Sequence, residues 1–247
     1  MKHIAVLLLL ISCSTLVSAQ KWGGGVDEEP VHFGFNFQYL SSEYKVLKKA
    51  DWRNPYYDRG LNDNITDSLN AVYGRSSPGF GIGFVVNYRL GSRFDVRMTP
   101  SLVFNDRLLN YVYKEPAVNN TNFSSLQQRV QATVVDLPVG IKLKSDKVGN
   151  FRAYVLGGLK YSVDITPGKK TNDEDKAPIN KLLKNQRSYL SYEAGIGFDI
   201  YFEYFKMSPE LKLSYSMNDV LKHEDHPYAN PIDRLTLRHF TFSLYFE

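Results

Sequence analysis

The chain of 247 residues is long enough for one sizeable β-barrel domain or two small domains. Its 30 basic and 26 acidic residues nearly balance, and no Lys/Arg run is long enough to indicate a nucleic-acid partner. The mean hydropathy of -0.33 excludes a bundle of membrane helices but not a transmembrane barrel, whose apolar residues alternate with polar ones along each strand.

The first 19 residues have the pattern of a secretory signal peptide. Lys2 supplies the positive charge, residues 4–11 form the apolar core, and small residues at 17–19 predict cleavage between Ala19 and Gln20. The apolar run is shorter than the roughly 20 residues that a spanning helix needs. Export through a cleaved signal peptide is therefore expected.

The sequence Leu10-Ile11-Ser12-Cys13 also resembles a lipoprotein cleavage box, in which Cys13 would be lipidated. Both readings predict that the chain leaves the cytoplasm. Cys13 is the single cysteine, so a chain cleaved after Ala19 has neither disulfides nor thiolate metal sites.

In the remainder of the chain, apolar and polar residues alternate within a series of segments, and no segment has a convincing helical period. We predict eight strands, at residues 31–41, 78–90, 94–106 (with 107–113 as a candidate extension), 130–144, 151–165, 188–202, 206–218 and 236–246. Their connections run long, short, long, short, long, short, long.

An up-and-down barrel with these connections has every long loop at one end and every tight turn at the other, as outer-membrane barrels do. The predicted fold class is therefore all-β, an eight-stranded up-and-down antiparallel transmembrane β-barrel over residues 31–247. Residues 20–30, which include three consecutive glycines, are predicted to be a periplasmic tail.

Each predicted strand has one bulky apolar face and one small, polar or charged face. The second strand, for example, alternates Phe80, Ile82 and Phe84 with Gly79, Gly81 and Gly83. A lumen of eight strands is barely wide enough for its own side chains, so the bulky face must point outward. An outward face this apolar is tolerable only in lipid.

The charged residues of the opposite face are then expected to pair in the lumen as an ion-paired plug without an aqueous channel. The predicted network comprises Arg89, Asp95, Arg97, Asp136, Lys142, Lys144, Arg152, Lys160, Asp164, Glu193, Asp199, Glu210 and Lys212.

No catalytic, cofactor-binding or metal-binding motif stands out. Gly79–Gly83 lacks the spacing of a phosphate loop and no helix follows it. The loop segment from His223 to His226 (HEDH) holds metal-ligand residue types, but adjacent residues rarely converge on one ion, and a solvated loop is the preferred interpretation. An acyl-chain enzyme would need a Ser/His pair, and the sequence reveals none around His32, His223, His226 or His239. We therefore expect no enzyme, no cofactor and no small-molecule substrate.

The first long loop carries several aromatic residues: Trp52, Tyr56, Tyr57 and Tyr73. Exposed aromatics of this kind indicate contact with a protein or a glycan. The alternative is a loop that folds onto the barrel rim, and the sequence does not separate the two.

Three segments resemble the PorT family: residues 135–164 (VDLPVGIKLKSDKVGNFRAYVLGGLKYSVD), residues 189–221 (YLSYEAGIGFDIYFEYFKMSPELKLSYSMNDVL) and the ending NPIDRLTLRHFTFSLYFE. The resemblance spans roughly residues 31–247 and rests on the order of the segments. It implies an outer-membrane barrel required for type IX protein secretion and the associated gliding motility. The family has no catalytic residues to carry over.

Three hypotheses follow for the function. The first is a non-enzymatic accessory barrel of the type IX apparatus that binds other envelope components, with outer-membrane lipid around it. The second is a stand-alone adhesin or structural barrel, and the third is a lipid-modifying enzyme of the outer membrane.

Overall fold

A computed structural model of the protein describes residues 29–114, 124–166, 173 and 176–247. The predicted signal peptide, the Ala19/Gln20 cleavage site, Cys13 and nearly all of the predicted tail lie outside the described residues. The strands, in chain order, are β1 (Val31–Lys48), β2 (Tyr57–Asp58), β3 (Asp63–Asn64), β4 (Leu69–Arg75), β5 (Ser77–Arg89), β6 (Phe94–Met98), β7 (Ser101–Tyr113), β8 (Ser125–Lys144), β9 (Phe151–Asp164), β10 (Ser188–Tyr201), β11 (Lys206–Ser216) and β12 (Ile232–Phe246). A short 3-10 helix covers Pro178–Asn180.

The strands close into a ring. Neighbours pair antiparallel from β8 through β12, β12 pairs with β1, and β1 pairs with β5. β5 pairs with β6 and β7, and both of these pair with β8, which completes the circle. Within the described residues, β4 with β5 and β6 with β7 act as single barrel strands with a brief break, which gives a ring of 8 strands. The predicted fold class is confirmed.

The side-chain alternation has the predicted orientation. On β1, Phe33 is 72% exposed whereas Asn36 is 1% exposed, and on β5 Phe84 is 70% exposed whereas Asn87 is buried. Cross-strand register keeps the faces aligned, because Phe37 lies opposite both Ile82 and Leu244. A continuous apolar belt therefore surrounds the barrel, and its backbone polar groups are satisfied within the ring, as lipid requires.

Several strands are longer at the long-loop end than the sequence pattern predicts. β1 continues to Lys48, β8 begins at Ser125 and β12 begins at Ile232. The outward positions of the extension of β1 include Glu43 and Lys45, which suit water rather than lipid. The barrel wall therefore extends beyond the apolar belt, and a prediction based on apolar alternation stops too early.

An apolar core fills the interior of this extended end. Its buried members come from the strand ends and from the long loops between them: Tyr44, Leu69, Val72, Leu109, Tyr111, Tyr113, Val130, Leu183, Tyr189, Val220, Leu221, Tyr228, Ala229, Ile232, Leu235 and Leu237. Tyr111 donates a hydrogen bond to the carbonyl of Tyr228 at 2.6 Å, which joins a strand to the last long loop. The loop residues thereby cover the mouth of the barrel. Within the described residues, no helix has the length and apolar character needed to cross a membrane.

Candidate functional site

The short-turn end of the lumen is organised around Arg97. Its guanidinium donates from Nη1 to Glu210 Oε2 at 2.9 Å, from Nη2 to Glu247 Oε1 at 3.2 Å and from Nε to Asn87 Oδ1 at 2.8 Å. Arg97 is 2% exposed, and its planar group also lies over the ring of Tyr245. A buried guanidinium with this many acceptors holds several strands in one arrangement.

A second group of ion pairs surrounds this centre. Lys142 Nζ contacts both carboxylate oxygens of Asp199 at 2.7 and 2.8 Å, and Lys206 Nζ lies 2.9 Å from Glu247 Oε2. Lys144 Nζ lies 2.6 Å from Asp95 Oδ1. Each of these charges is buried with a partner of opposite sign, so this end of the lumen is a compact electroneutral network.

The middle of the lumen holds a second layer of charge. Lys160 Nζ lies 3.3 Å from Asp136 Oδ2 and 3.2 Å from His239 Nδ1, while Lys212 Nζ lies 3.7 Å from Glu193 Oε1. The cavity between them measures about 20 Å³, which is the space of about one water molecule. Side chains therefore fill this part of the lumen almost completely.

Most residues of the predicted network lie in this buried set, but three do not. Arg89 is exposed, because it is the last residue of β5 and the lumen ends there. Arg152 and Asp164 are half-buried at opposite ends of β9. All three residues lie on the inward face, as expected. Alternation assigns the face of a residue but does not predict its depth along the barrel axis.

Three lumen charges were missed by the sequence analysis: Arg107, Lys206 and Glu247. Each has the parity of the buried, inward residues of its strand: Arg107 lies two residues after Asn105, Lys206 four residues before Glu210 and Glu247 two residues after Tyr245. Arg107 donates from Nη2 to the hydroxyl of Tyr189 at 3.0 Å, under the apolar core. Arg107 and Glu247 lie one residue beyond the predicted strands at 94–106 and 236–246, whereas Lys206 is the first residue of the predicted strand at 206–218. Alternation carried through every strand end identifies all three.

The His223–His226 segment disperses its side chains among different partners. His223 Nε2 lies 2.8 Å from Asp219 Oδ2, Glu224 pairs with Lys222 at 2.8 Å, and Asp225 accepts a hydrogen bond from the hydroxyl of Tyr56. Within the described residues, no group of three or more His, Cys, Asp or Glu side chains is arranged to hold a metal ion.

His226 is buried at the base of the last long loop. Its Nδ1 accepts hydrogen bonds from the backbone N–H groups of Tyr228 at 3.3 Å and Ala229 at 3.4 Å. Burial lowers the pKa of this imidazole below its usual value, so the ring is neutral at pH 7 and keeps an acceptor for the turn. His226 therefore has a structural role, because it accepts the backbone hydrogen bonds that hold the turn of the loop.

His32 and His239, the other histidines of the described residues, do not form an accessible Ser/His pair. His32 and His239 are buried inside the barrel. Ser214 lies opposite His239 across the β11–β12 ladder, but both are at most 5% exposed.

The four aromatic residues of the first long loop divide into two kinds. Trp52 packs against the apolar core, with Lys48 Nζ 4.1 Å from its ring centroid, and Tyr56 donates a hydrogen bond to Asp225 Oδ1 at 3.0 Å. Tyr57 and Tyr73 are 50% and 47% exposed. Tyr73 belongs to β4 rather than to a loop.

A cavity of about 390 Å³ lies between the first and last long loops. We call it the loop cavity. It is lined by Asp51, Trp52, Asn54, Pro55, Tyr56, Tyr57, Arg59, Thr66, Leu69, Tyr113, Asp225, Pro227, Asn230 and Pro231. It brings three of the four predicted loop aromatics together and leaves Tyr73 outside.

Comparison with known proteins identifies the family of the chain. A profile of the family described as outer membrane protein beta-barrel domain matches residues 30–222. No curated protein sequence matches the chain. Similar solved structures include OprG of Pseudomonas aeruginosa, with 11% identity, a TM-score of 0.47 and coverage of 87% of this chain and 92% of that chain. Neisserial surface protein A has 8% identity and a TM-score of 0.40, with coverage of 88% of this chain and 98% of that chain. The Yersinia pestis attachment invasion locus protein Ail, in complex with the heparin analogue sucrose octasulfate, has 11% identity and a TM-score of 0.37, with coverage of 88% of this chain and 99% of that chain.

The family profile covers most of the chain, and the region it covers includes most of the barrel strands that carry the apolar belt. The protein therefore belongs to the outer membrane protein beta-barrel domain family and is an outer-membrane β-barrel.

Proposed function

We propose that the protein is a non-enzymatic component of type IX protein secretion and the associated gliding motility, and that it acts by binding other envelope components. The observation that carries this proposal is the filled lumen. Ion pairs such as Arg97–Glu210 and Lys142–Asp199 occupy it, and the apolar core closes its outer end. A filled lumen supports a role in which the barrel acts through its surfaces.

The assignment to secretion rests on the resemblance of residues 135–164, 189–221 and the chain ending to the PorT family. These segments form much of β8 to β12. The surfaces available for partners are the long-loop end, the belt in lipid and the short turns, such as residues 203–205 between β10 and β11.

The test is deletion of the gene, followed by measurement of cargo proteins that carry C-terminal targeting domains. Loss of cargo from the cell surface, its accumulation in the periplasm and loss of gliding are expected. Complementation with the unaltered gene should restore all three. Normal surface display of the cargo after deletion would rule out the secretion role.

Affinity capture of the mature protein from detergent-solubilised envelopes then identifies the partner. A matched sample in which the turn at 203–205 is replaced by Gly-Asn-Gly tests the periplasmic side as the contact. Recovery of the same partner in equal amount from both samples would exclude that turn.

A stand-alone adhesin is the second candidate, and the loop cavity favours it. In that case the deleted strain secretes and glides normally but adheres less to a surface. For the third hypothesis, a lipid-modifying enzyme, Ala substitutions at His32, His223, His226 and His239 provide the test. An unchanged lipid profile after all four substitutions would remove it.

A further inference from the structure

We propose that the loop cavity is a binding site for a neutral oligosaccharide at the outer surface of the cell. This inference is independent of the secretion role, because it concerns the long-loop end alone. It rests on the shape of the cavity, on the rigidity of its walls and on the chemistry of its rim.

The cavity has a buried floor and an open, polar rim. Thr66, Leu69 and Tyr113 at the floor are at most 5% exposed, whereas Asp51, Asn54, Tyr57, Arg59, Asp225 and Asn230 on the rim are exposed. A volume of about 390 Å³ falls inside the range of about 300–1,000 Å³ that is typical of ligand pockets. The site is therefore large enough for a sugar ring together with part of its neighbour.

The walls are fixed before any ligand arrives. The hydroxyl of Tyr56 donates to Asp225 Oδ1 at 3.0 Å and so ties the first long loop to the last. The backbone N–H of Tyr56 donates to Thr66 Oγ1 at 2.8 Å, and the N–H of Leu69 donates to the carbonyl of Arg53 at 3.0 Å. A pre-formed cavity avoids the entropy cost of ordering loops on binding.

The rim offers the groups that a sugar requires. The half-exposed ring of Tyr57 presents an apolar face, against which the C–H face of a pyranose can pack. The carboxylates of Asp51 and Asp225 accept hydrogen bonds from hydroxyl groups, and the amides of Asn54 and Asn230 both donate and accept them. Planar polar side chains beside an aromatic face match the alternating polar and apolar surfaces of a sugar ring.

The charge of the lining favours a neutral ligand. Among the lining residues, Asp51 and Asp225 are anionic and Arg59 is cationic. Lys48 and Arg53 lie over the ring of Trp52 and are not among the lining residues. A sulfated or phosphorylated glycan would bring further negative charge toward two carboxylates. Recognition of such anions uses clusters of Arg or Lys.

Tryptophan fluorescence provides a direct test. Trp22 and Trp52 are the tryptophans of the chain, so Trp22→Phe leaves Trp52, which lines the cavity, as the reporter. The protein is held in a detergent without a sugar headgroup and titrated with maltohexaose, cellohexaose, chitohexaose and xylohexaose, with a heparin hexasaccharide as the anionic comparator. A saturable change in Trp52 emission, with a Kd of about 1 mM or tighter for at least one neutral hexaose, is expected.

Variants then locate the site. In the Trp22→Phe background, Tyr57→Ala should weaken binding about tenfold, which corresponds to about 1.4 kcal/mol, and Asp51→Asn should also weaken it. Tyr73→Ala, a half-exposed tyrosine outside the cavity, should leave the affinity unchanged. Asp51→Asn preserves the size of the side chain, so it keeps the test open if Tyr57→Ala does not fold.

Three results would overturn the proposal. They are no emission change with any of the neutral hexaoses, equal affinity in the Tyr57→Ala, Asp51→Asn and Tyr73→Ala variants, and preferential, salt-sensitive binding of the heparin hexasaccharide.

Discussion

Glu210 shows how densely the lumen charges are satisfied. Its Oε2 accepts hydrogen bonds from Arg97 Nη1 at 2.9 Å and from the hydroxyl of Tyr154 at 2.8 Å, and its Oε1 accepts one from the hydroxyl of Tyr245 at 3.1 Å. Lys212 Nζ lies 3.5 Å from Oε1. A single carboxylate thus links strands on several sides of the barrel.

Replacement of Glu210 by Gln should lower the free energy of unfolding by about 3 kcal/mol, because breaking a buried pair leaves charge without its partner. The value lies at the lower end of the usual range because Arg97 remains paired with Glu247 in the variant. Urea unfolding in phospholipid vesicles measures the change. The control is Asp106→Asn, which removes the exposed pair with Arg129 and should cost at most about 1 kcal/mol. Equal losses in the two variants would contradict the prediction.

Asp219 anchors the last long loop at the point where it leaves β11. Its Oδ1 accepts the backbone N–H groups of Leu221 and Leu235, both at 2.9 Å. Burial alone would raise the pKa of this carboxyl, but the two backbone hydrogen bonds and the neighbouring His223 outweigh it and hold the pKa below its usual value. The folded protein therefore favours the ionised form of Asp219.

An Asp219→Asn variant should be less stable than the unaltered protein by about 1 kcal/mol at pH 6. A depressed carboxyl pKa stabilises the fold fully above the unfolded pKa of about 3.9, and this contribution is lost as the pH falls through the folded pKa. The stability gap should therefore persist from pH 6 to pH 5 and close under strongly acidic conditions. Urea unfolding across this pH series measures it, with exposed Asp233→Asn as the control. A gap that does not change with pH would refute the role of the charge.

At the scale of the strand, close approach of neighbouring backbones decides where glycine is required. A Cβ on Gly158 would lie 2.4 Å from the carbonyl oxygen of Val139 and 2.6 Å from the Cα of Gly140. A Cβ on Gly157 would meet nothing within 4 Å, because it points away from the barrel. Two adjacent glycines of β9 therefore have opposite tolerance for a side chain.

Gly158→Ala should destabilise the barrel by about 1–3 kcal/mol, since backbone atoms of β8 must shift to admit the methyl group. Gly157→Ala should be neutral or stabilising by up to about 1 kcal/mol, because alanine loses less conformational entropy on folding. Urea midpoints and the fraction refolded into vesicles report both changes. A larger loss for Gly157→Ala than for Gly158→Ala would reverse the assigned faces of β9.

The lengths of the strands show where apolar alternation no longer predicts strand residues. Apolar alternation finds the middle of each strand, because the belt in lipid requires a bulky side chain at every second position. Outside the belt the outward positions are polar, as at Glu43 and Lys45, and the period-2 signal in hydropathy weakens. The hydrogen-bonded ladder continues there regardless, as the pairing of Tyr44 with Leu237 shows.

At the scale of the whole molecule, the barrel is polar within and apolar around its belt, with an apolar core only at the outer end. Phe84 is 70% exposed near the middle of the belt on β5, whereas Val148 is 76% exposed in the short turn between β8 and β9. The two side chains are equally accessible but meet different surroundings, lipid for Phe84 and water for Val148.

Phe84→Lys should cost about 2–4 kcal/mol of folding free energy in vesicles, the usual cost of a lysine near the bilayer midplane. Val148→Lys should have little effect, since its turn lies outside the belt. Refolding into phospholipid vesicles, followed by the shift of the folded barrel on unheated gels, gives both values. Similar costs for the two substitutions would show that the belt does not face lipid.

The sequence by itself determined the strand order, the long and short connections and the face on which each side chain lies, because period-2 alternation and loop length are local properties. It placed Asp199 and Lys142 on the inward face without showing that they pair. Only the tertiary structure decided the partners. Glu210 and Glu247 lie 113 and 150 positions after Arg97 in the chain, and the strand register around the closed ring brings them together. The tertiary structure also decided depth along the axis, which exposes Arg89 and buries Lys206, and it assembled the loop cavity from segments far apart in the chain.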